Sequence, residues 1–431
     1  MQTQEVDITD LSHDGRGVAH IDGKAVFVIG ALPGERVVVR MAARHRNFDE
    51  ARVEALLTRS PDRVEPRCPH FGQCGGCALQ HLSAAAQIAA KQRVLAENFE
   101  RIGKVEPARW LDPLTDAEWG YRRKGRLSVK WVAKKGKALV GFREENPRFV
   151  ADLSECHTLL PEVGLRIAAI GALVTSLDAK QSIAQIEIAA GDDTVALVFR
   201  NLVALSDADT AKLVAFGKEH DLAILLQPGG PDSVHALWPE TVHLAFRIEQ
   251  ADVDIAFRPL DFVQVNAGLN RRMIARALDL LDPTRDDRVL DLFCGLGNFT
   301  LPVARRAGSV VGVEGEAKLV ARARENAVAN GIANAEFAAA DLAADQRGAP
   351  WAVRDYDKLL LDPPRSGAAA VLEYLPRKST KRIVYVSCHP GSLARDAGTL
   401  VQQHGFTLMA AGVMDMFPHT AHVESIALFE R

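Results

Sequence analysis

From about residue 256 onward the chain repeats one unit, a short apolar strand followed by a turn and a helix. Strand candidates "RVLDLF", "SVVGVE", "AEFAAA", "YDKLLLD", "RIVYVS", "FTLMAAGVM" and "VESIALF" alternate with helical stretches such as "AKLVARARENAVANG". Repeated units of this kind bury a mainly parallel sheet between helices. Residues 256–431 are therefore predicted to form a doubly wound, Rossmann-like α/β domain. In such sheets ligands bind outside the carboxyl ends of the strands, so the residues at those ends carry the functional information.

The first strand end is "VLDLFCGLGNFTLPVA", a buried strand running into a glycine-rich turn and a helix. Gly295 and Gly297 let the backbone approach a ligand at the helix N-terminus. About twenty residues later the second strand ends at Glu314, where an acid typically binds ribose hydroxyls. Turn and acid together predict an adenosine-containing cofactor. The turn lacks the third glycine of a nicotinamide-binding fingerprint, which weakens a dehydrogenase reading. Asp341 in "AAADLA" and Asp362 in "LLLDPPR" close two further strands. An Asp-Pro-Pro turn there is frequent in S-adenosylmethionine enzymes that act on nucleobases, although a plain turn former is the alternative for Asp362. Cys294, inside the turn, reads as packing.

The fifth strand, "RIVYVSCHPG", stops at a thiol and a proline. A core cysteine would sit mid-strand, whereas Cys388 stands on the rim with Glu314, Asp341 and Asp362. The helix that follows it is expected to lower the thiol pKa. Glu424 in "HVESIALF" lies among apolar neighbours, which would raise its pKa and suit it to work as a base; a strand-edge acid is the alternative. These pieces fit one reaction. A thiolate adding to carbon 6 of uracil makes carbon 5 nucleophilic enough to take a methyl group, and a base then removes the carbon-5 proton so that the thiol leaves.

Upstream, residues 1–58 alternate polar and apolar positions with glycine turns, the pattern of a small β-barrel without a basic surplus. Residues 59–255 read as an α+β region. It begins with "RCPHFGQCGGCALQHL", which spaces Cys68, Cys74 and Cys77 as C-x5-C-x2-C, and Cys156 could complete a four-thiolate site. Zinc and an iron–sulfur cluster both accept such a set; His70 and His81 are read as bystanders. Between Gly120 and Val150 ten Lys or Arg face only two acids, with Tyr121, Trp131 and Phe142 interleaved. That is either an RNA-contacting surface with stacking aromatics or a solvated two-stranded ribbon.

Taken together, "FVQVNAGLN", "DLFCGLGNFTLP", "LLLDPPRSGA", "YVSCHPGSLARD" and "MFPHTAHVES" resemble the RNA uracil-C5 methyltransferase family. The barrel resembles that family's TRAM domain, and the four cysteines resemble its [4Fe-4S] site. Barrel and cluster together resemble the branch that methylates uridine 1939 of 23S rRNA. The resemblance implies Cys388 as nucleophile and Glu424 as base. It also implies an S-adenosylmethionine pocket lined by Gln264, Phe293, Asn298, Glu314, Asp341 and Asp362, and a cluster held by Cys68, Cys74, Cys77 and Cys156. One position departs from the pattern: His389 stands where the family usually has Asn.

The 431 residues exceed what one core usually serves, in keeping with three domains. A polar, acidic beginning and the lack of a long apolar run predict a cytoplasmic protein without a membrane span, and a monomer is expected. The net charge of −3 does not announce an RNA partner, so 23S rRNA as substrate comes from the resemblance. Rival readings are the same chemistry on tRNA or another 23S uridine, and a non-catalytic RNA-binding iron–sulfur protein, which would need neither Cys388 nor Glu424.

Overall fold

The structure is a computed structural model that describes residues 3–375 and 379–431. Its first unit is a curled six-stranded sheet in the order Thr3–Asp7, Arg36–Arg44, Phe48–Leu56, Lys24–Ile29, Gly17–Ile21, Asp10–Leu11. Alternate residues such as Val26, Val28, Val37 and Val39 point inward and are fully buried. The period-two pattern thus closes a small core of its own. Glu35 and Arg63 tie this barrel to the following segment. The buried Glu35 carboxylate accepts hydrogen bonds from Leu32 N–H, Ser60 N–H and the Arg63 guanidinium, which also donates to Gly30 O.

The central unit is a six-stranded mixed sheet in the order His235–Trp238, Ala223–Leu226, Val195–Asn201, Ile183–Ala190, Lys124–Val132, Lys137–Gly141. One face, with Leu197, Phe199 and Ile224, packs on the helices Ile167–Ser176 and Asp207–His220. The other face, with Ala196, Val198 and Leu225, joins a core continuous with the C-terminal domain. The basic ribbon is the edge of this sheet, and its aromatics are engaged by the protein itself. Tyr121 is buried and donates to Pro418 O, Trp131 lies under Lys180, and Phe142 lies under Arg122. Of the two readings of this ribbon, a base-stacking surface or a structural edge, these contacts favour the structural one.

The C-terminal sheet runs Ala335–Ala339, Ser309–Glu314, Arg288–Leu292, Lys358–Leu361, Arg382–Ser387, Glu424–Glu430, Thr407–Met414, Arg109–Trp110. Its first five strands are parallel, and Glu424–Glu430 runs antiparallel to its two neighbours. The strand order reverses between Arg288–Leu292 and Lys358–Leu361, which makes a crevice at their carboxyl ends. Part of the stretch read as central belongs physically here. The helix Ala84–Asn98, N-capped by Ser83, brings Leu95 and Phe99 into the core beneath this sheet, and Arg109–Trp110 extends its edge. Gly103 and Gly398 let two backbones touch, since a Cβ at Gly103 would stand 2.5 Å from Ala394 O.

Removing one partner of the buried Glu35–Arg63 pair strands the other charge. Glu35→Ala is expected to destabilise the barrel junction by roughly 3 kcal/mol, seen as a lower first unfolding transition and earlier protease cleavage after Leu57.

Candidate active site

The glycine turn leaves the strand Arg288–Leu292 through Phe293, a non-glycine residue in the left-handed region (φ +65°), followed by Gly295 (φ +54°) and Gly297 (φ +91°). Such backbone strain is typical of ligand clamps. Open space faces Gly295, because a Cβ there would meet nothing within 4 Å. Its N–H donates to Glu314 Oε2 at 3.1 Å while Glu316 N–H donates to Oε1 at 3.0 Å, so the acid is fixed at the strand end. Asn298 and Asn270 exchange reciprocal hydrogen bonds of 2.9 and 3.0 Å. Gln264 is half-buried two residues before Asn266, which caps the helix Ala267–Leu281. Asp341 is exposed and accepts from Ala343 N–H at 2.9 Å, holding the turn after its strand.

Two further carboxylates stand at this end of the sheet, Asp291 within the strand Arg288–Leu292 and Asp362 just after the strand Lys358–Leu361. Burial pushes Asp362 up to about 7, with the Glu314 charge adding to it. Asp291, missed by the sequence reading, is pushed up to about 8 by burial; a 2.5 Å hydrogen bond from Thr300 Oγ1 opposes the rise and the charges of Asp362 and Glu314 add to it. Its Oδ1 is buried without a hydrogen-bond partner. An acid fixed at the strand end, an open glycine face and carboxyls held below the rim fit a cationic, ribose-bearing cofactor such as S-adenosylmethionine. Asp291 looked like one more residue of an apolar strand, and only its burial beside a carboxylate pair marks it out. Cys294 is buried, as packing requires.

Cys388 follows the strand Arg382–Ser387, whose antiparallel register with Glu424–Glu430 ends at Ser387 opposite Ser425. Cys388 directly follows Ser387 and Glu424 directly precedes Ser425, so thiol and carboxyl lie at the same end of the paired strands, and the Glu424 charge acts on the thiol. Burial pushes Glu424 up to about 8, with the charge of Asp362 adding and Arg365 and Lys91 opposing. The thiol is pushed up to about 11, by burial first and then by Glu424 and Asp362. This corrects the expectation of a lowered thiol pKa: burial, with the two carboxylates adding to it, outweighs what Arg365 and the backbone offer. Arg365, also missed, sits beside both groups, lowers both, and meets His422 Nδ1 at 2.9 Å.

His389 resolves the one departure from the family pattern. It N-caps the helix Pro390–Gln402, its Nδ1 accepting from Ser392 N–H at 3.1 Å. Asn is a strong capping residue and could make the same bond. Burial, with Arg365 and Arg395, lowers the His389 pKa, which keeps the ring neutral and the nitrogen an acceptor.

Cys68, Cys74, Cys77 and Cys156 line one pocket, with Arg122 and Phe142 in its wall. Burial pushes Cys74 up to about 11 and Cys77 to about 12, and neighbouring thiols of the set add to both. Among the described residues no group of three or more His, Cys, Asp or Glu side chains is arranged to hold a single metal ion. His70 is tied to Ser154 and His81 is buried outside the pocket lining.

A carboxyl whose pKa is higher folded than unfolded destabilises the fold as pH rises between the two values, and the full penalty stands above the folded one. Asp362→Asn and Glu424→Gln are therefore expected to raise Tm, little at pH 4 and most at pH 8.5. Thermal melts across that range test this, and a gain independent of pH would contradict it.

The TRAM domain family model matches residues 1–53, and the tRNA (Uracil-5-)-methyltransferase family model matches residues 239–431. A 23S rRNA (uracil(1939)-C(5))-methyltransferase RlmD of Stenotrophomonas maltophilia is 63% identical, over 99% of this chain and 97% of that protein. The protein of the same description from Xanthomonas oryzae pv. oryzae is 64% identical, over 98% of this chain and 96% of its own. The crystal structure of Pyrococcus abyssi tRNA (uracil-54, C5)-methyltransferase, in complex with S-adenosyl-L-homocysteine, shares the fold with a TM-score of 0.75 at 24% identity. That likeness covers 99% of this chain and all of that one. With near-full-length identity at this level and a rim that presents a thiol near a carboxyl, the chain belongs to the RNA uracil-C5 methyltransferase family, among the 23S rRNA (uracil(1939)-C(5))-methyltransferases.

Proposed function

We propose that this protein methylates carbon 5 of a uridine in 23S rRNA, uridine 1939 in the numbering carried by its relatives, with S-adenosylmethionine as donor. The observation that carries this reading is the placement of Cys388 and Glu424 at the same end of two paired strands, within each other's electrostatic reach, on the rim that also holds the Gly295 turn and Glu314. When bound, the cofactor supplies an electrophilic sulfonium methyl group. The chain supplies the rest.

Cys388, as thiolate, adds to carbon 6 of the uracil, and the electron pair moves onto the carbon-4 oxygen. Arg365 is the nearby cation that favours the negative charge. Carbon 5 then takes the methyl group. Glu424 removes the carbon-5 proton, and the re-formed double bond expels the thiolate. A carboxyl with a pKa near 8 holds that proton far better than an ordinary glutamate, which suits it to this step. Asp362, Gln264, Phe293, Asn298, Glu314 and Asp341 are assigned to the cofactor pocket. Asp291 supports its floor.

The RNA has a route to this rim. A groove of about 550 Å³ lies between barrel residues Asp10–Val18 and the helix Ala84–Asn98, with Arg93 and Arg101 in its wall. It ends at His389 and Val423, the sequence neighbours of nucleophile and base. Arg93 and Arg101 are paired there with Asp10 and Glu97, and a backbone phosphate would compete with those exposed carboxylates for them.

The four cysteines are assigned to a [4Fe-4S] cluster. They share one pocket, and four thiolates are the complete ligand set of such a cluster. Thiols buried this deeply ionise only beside a compensating cation. The reaction has no redox step, so the cluster's role is structural. Among the described residues no helix is long and apolar enough to cross a membrane, and a monomer in the cytoplasm is the setting assigned.

Incubation with S-adenosylmethionine and a 23S fragment bearing 5-fluorouridine at the target is expected to give a gel-stable protein–RNA adduct, mapped to Cys388 and absent in Cys388→Ala. Adducts on tRNA alone would move the activity to a different RNA; none on any RNA would refute the reading. Iron and sulfide assays are expected to find four of each per chain, and zinc in their place would overturn the cluster assignment.

A further inference from the structure

The base Glu424 begins its strand immediately after the loop Asp415–Val423, and that loop is held by two elements that take no part in the chemistry. One is the cysteine-rich loop. Directly after Cys77, Ala78 N–H and Leu79 N–H both donate to the His419 carbonyl, at 3.0 and 2.9 Å. The other is the helix Ala84–Asn98, which turns two buried polar side chains toward the same loop. Gln87 accepts from His419 N–H at 2.8 Å and meets His419 Nδ1 at 3.3 Å, while its amide donates to Leu79 O and Leu82 O. Lys91 donates to Asp415 Oδ1 at 2.6 Å and to Phe417 O at 3.0 Å.

His419 is at the centre of this arrangement and pays a local cost to be there. Its φ of +66° lies in the left-handed region, unusual for a residue with a side chain. Its ring stacks on Trp119 with centroids 3.8 Å apart, and Trp119 packs edge-on against His157, the neighbour of Cys156. Tyr121 O–H closes the set by donating to Pro418 O. Both ends of the cysteine constellation, Cys77 and Cys156, thus connect to His419 within a few residues. Cys388 is supported elsewhere, by its strand and the His389 cap.

We propose that Gln87 and His419 are positioning residues for proton removal, locking the loop before Glu424 to the cysteine-rich loop so that a filled cysteine site fixes the base in place. The proposal rests on Glu424 acting as base and Cys388 as nucleophile. It gives the cluster a task that involves no electron transfer. Because the clamp grips the base's loop, which touches the nucleophile's surroundings only through the His422–Arg365 contact, its loss slows the step after methyl transfer far more than adduct formation. A merely structural role would slow all steps together.

Gln87→Leu keeps the size of the side chain and removes its hydrogen bonds; His419→Gly keeps the left-handed backbone and removes the ring. On 5-fluorouridine RNA, where proton removal is blocked, both variants are expected to form the Cys388 adduct within about twofold of the parent rate, well inside the tenfold turnover loss. On ordinary uridine RNA they are expected to accumulate the methylated covalent intermediate and to turn over about tenfold more slowly. Their iron content and visible absorbance should match the parent. Equal loss of adduct formation and turnover, or parent-like turnover without accumulation, would overturn the proposal.

The unmodified protein provides a check independent of any variant. Stripping the cluster with chelator and oxidant is expected to speed amide hydrogen exchange in residues 415–424 while leaving 382–388 protected. Unchanged exchange in 415–424 would overturn the link. Failure of the parent itself to form any adduct would instead refute the proposed function, so the two failures are distinguishable.

Discussion

Carboxyl groups buried at the carboxyl end of a parallel sheet are the constraint around which this molecule is organised. Asp291 and Glu424 are buried and Asp362 largely so, the field of Asp362 acts on both of the others, and each of the three is pushed several units above its ordinary pKa. Such burial is unfavourable to the fold. It persists because the flanking strands are apolar on both faces and closely packed: Leu290, Leu292, Leu359 and Leu361 fill one side, and Val289, Leu360 and Val384 the other. The large core holds the costly groups in place.

The same burial sets the chemical character of the site. A carboxyl in water would be a poor acceptor for a proton on carbon, whereas one with a pKa near 8 is matched to the operating pH. The thiol suffers from the same surroundings and stands at about 11. The cation Arg365, and the positive sulfonium of a bound cofactor, act in the opposite direction. Nucleophile and base thus share one electrostatic environment, and a charge brought to the rim shifts both.

A second level of organisation joins the N-terminal half to this rim. The helix Ala84–Asn98 lies early in the chain and packs with the last, so Gln87 and Lys91 reach residues more than three hundred positions away. The barrel is fixed through Glu35 and Arg63 to the segment that leads into the cysteines. Barrel, cysteine loop, helix and base loop are therefore one mechanical series, with the groove along its side.

Much of this was legible in the sequence because it is written in local periodicities. The strand–helix rhythm named the C-terminal fold, period-two alternation named the barrel, and strand ends named Gly295, Glu314, Asp362 and Cys388. The left-handed turn residues and the capping role of His389 follow from short-range chemistry of the same kind. Other properties were decided only by tertiary structure. The rise of the Cys388 pKa against expectation, the depth of Asp291, the nearness of Arg365 and the engaged aromatics of the basic ribbon all depend on what packs beside a residue from a distant part of the chain. So does the clamp on His419, whose partners are Ala78, Leu79, Gln87 and Trp119. Local sequence fixes which backbone conformations and hydrogen bonds are cheap, and with them the elements and their ends. Fields and desolvation act through space, and only the folded chain determines which charges share that space.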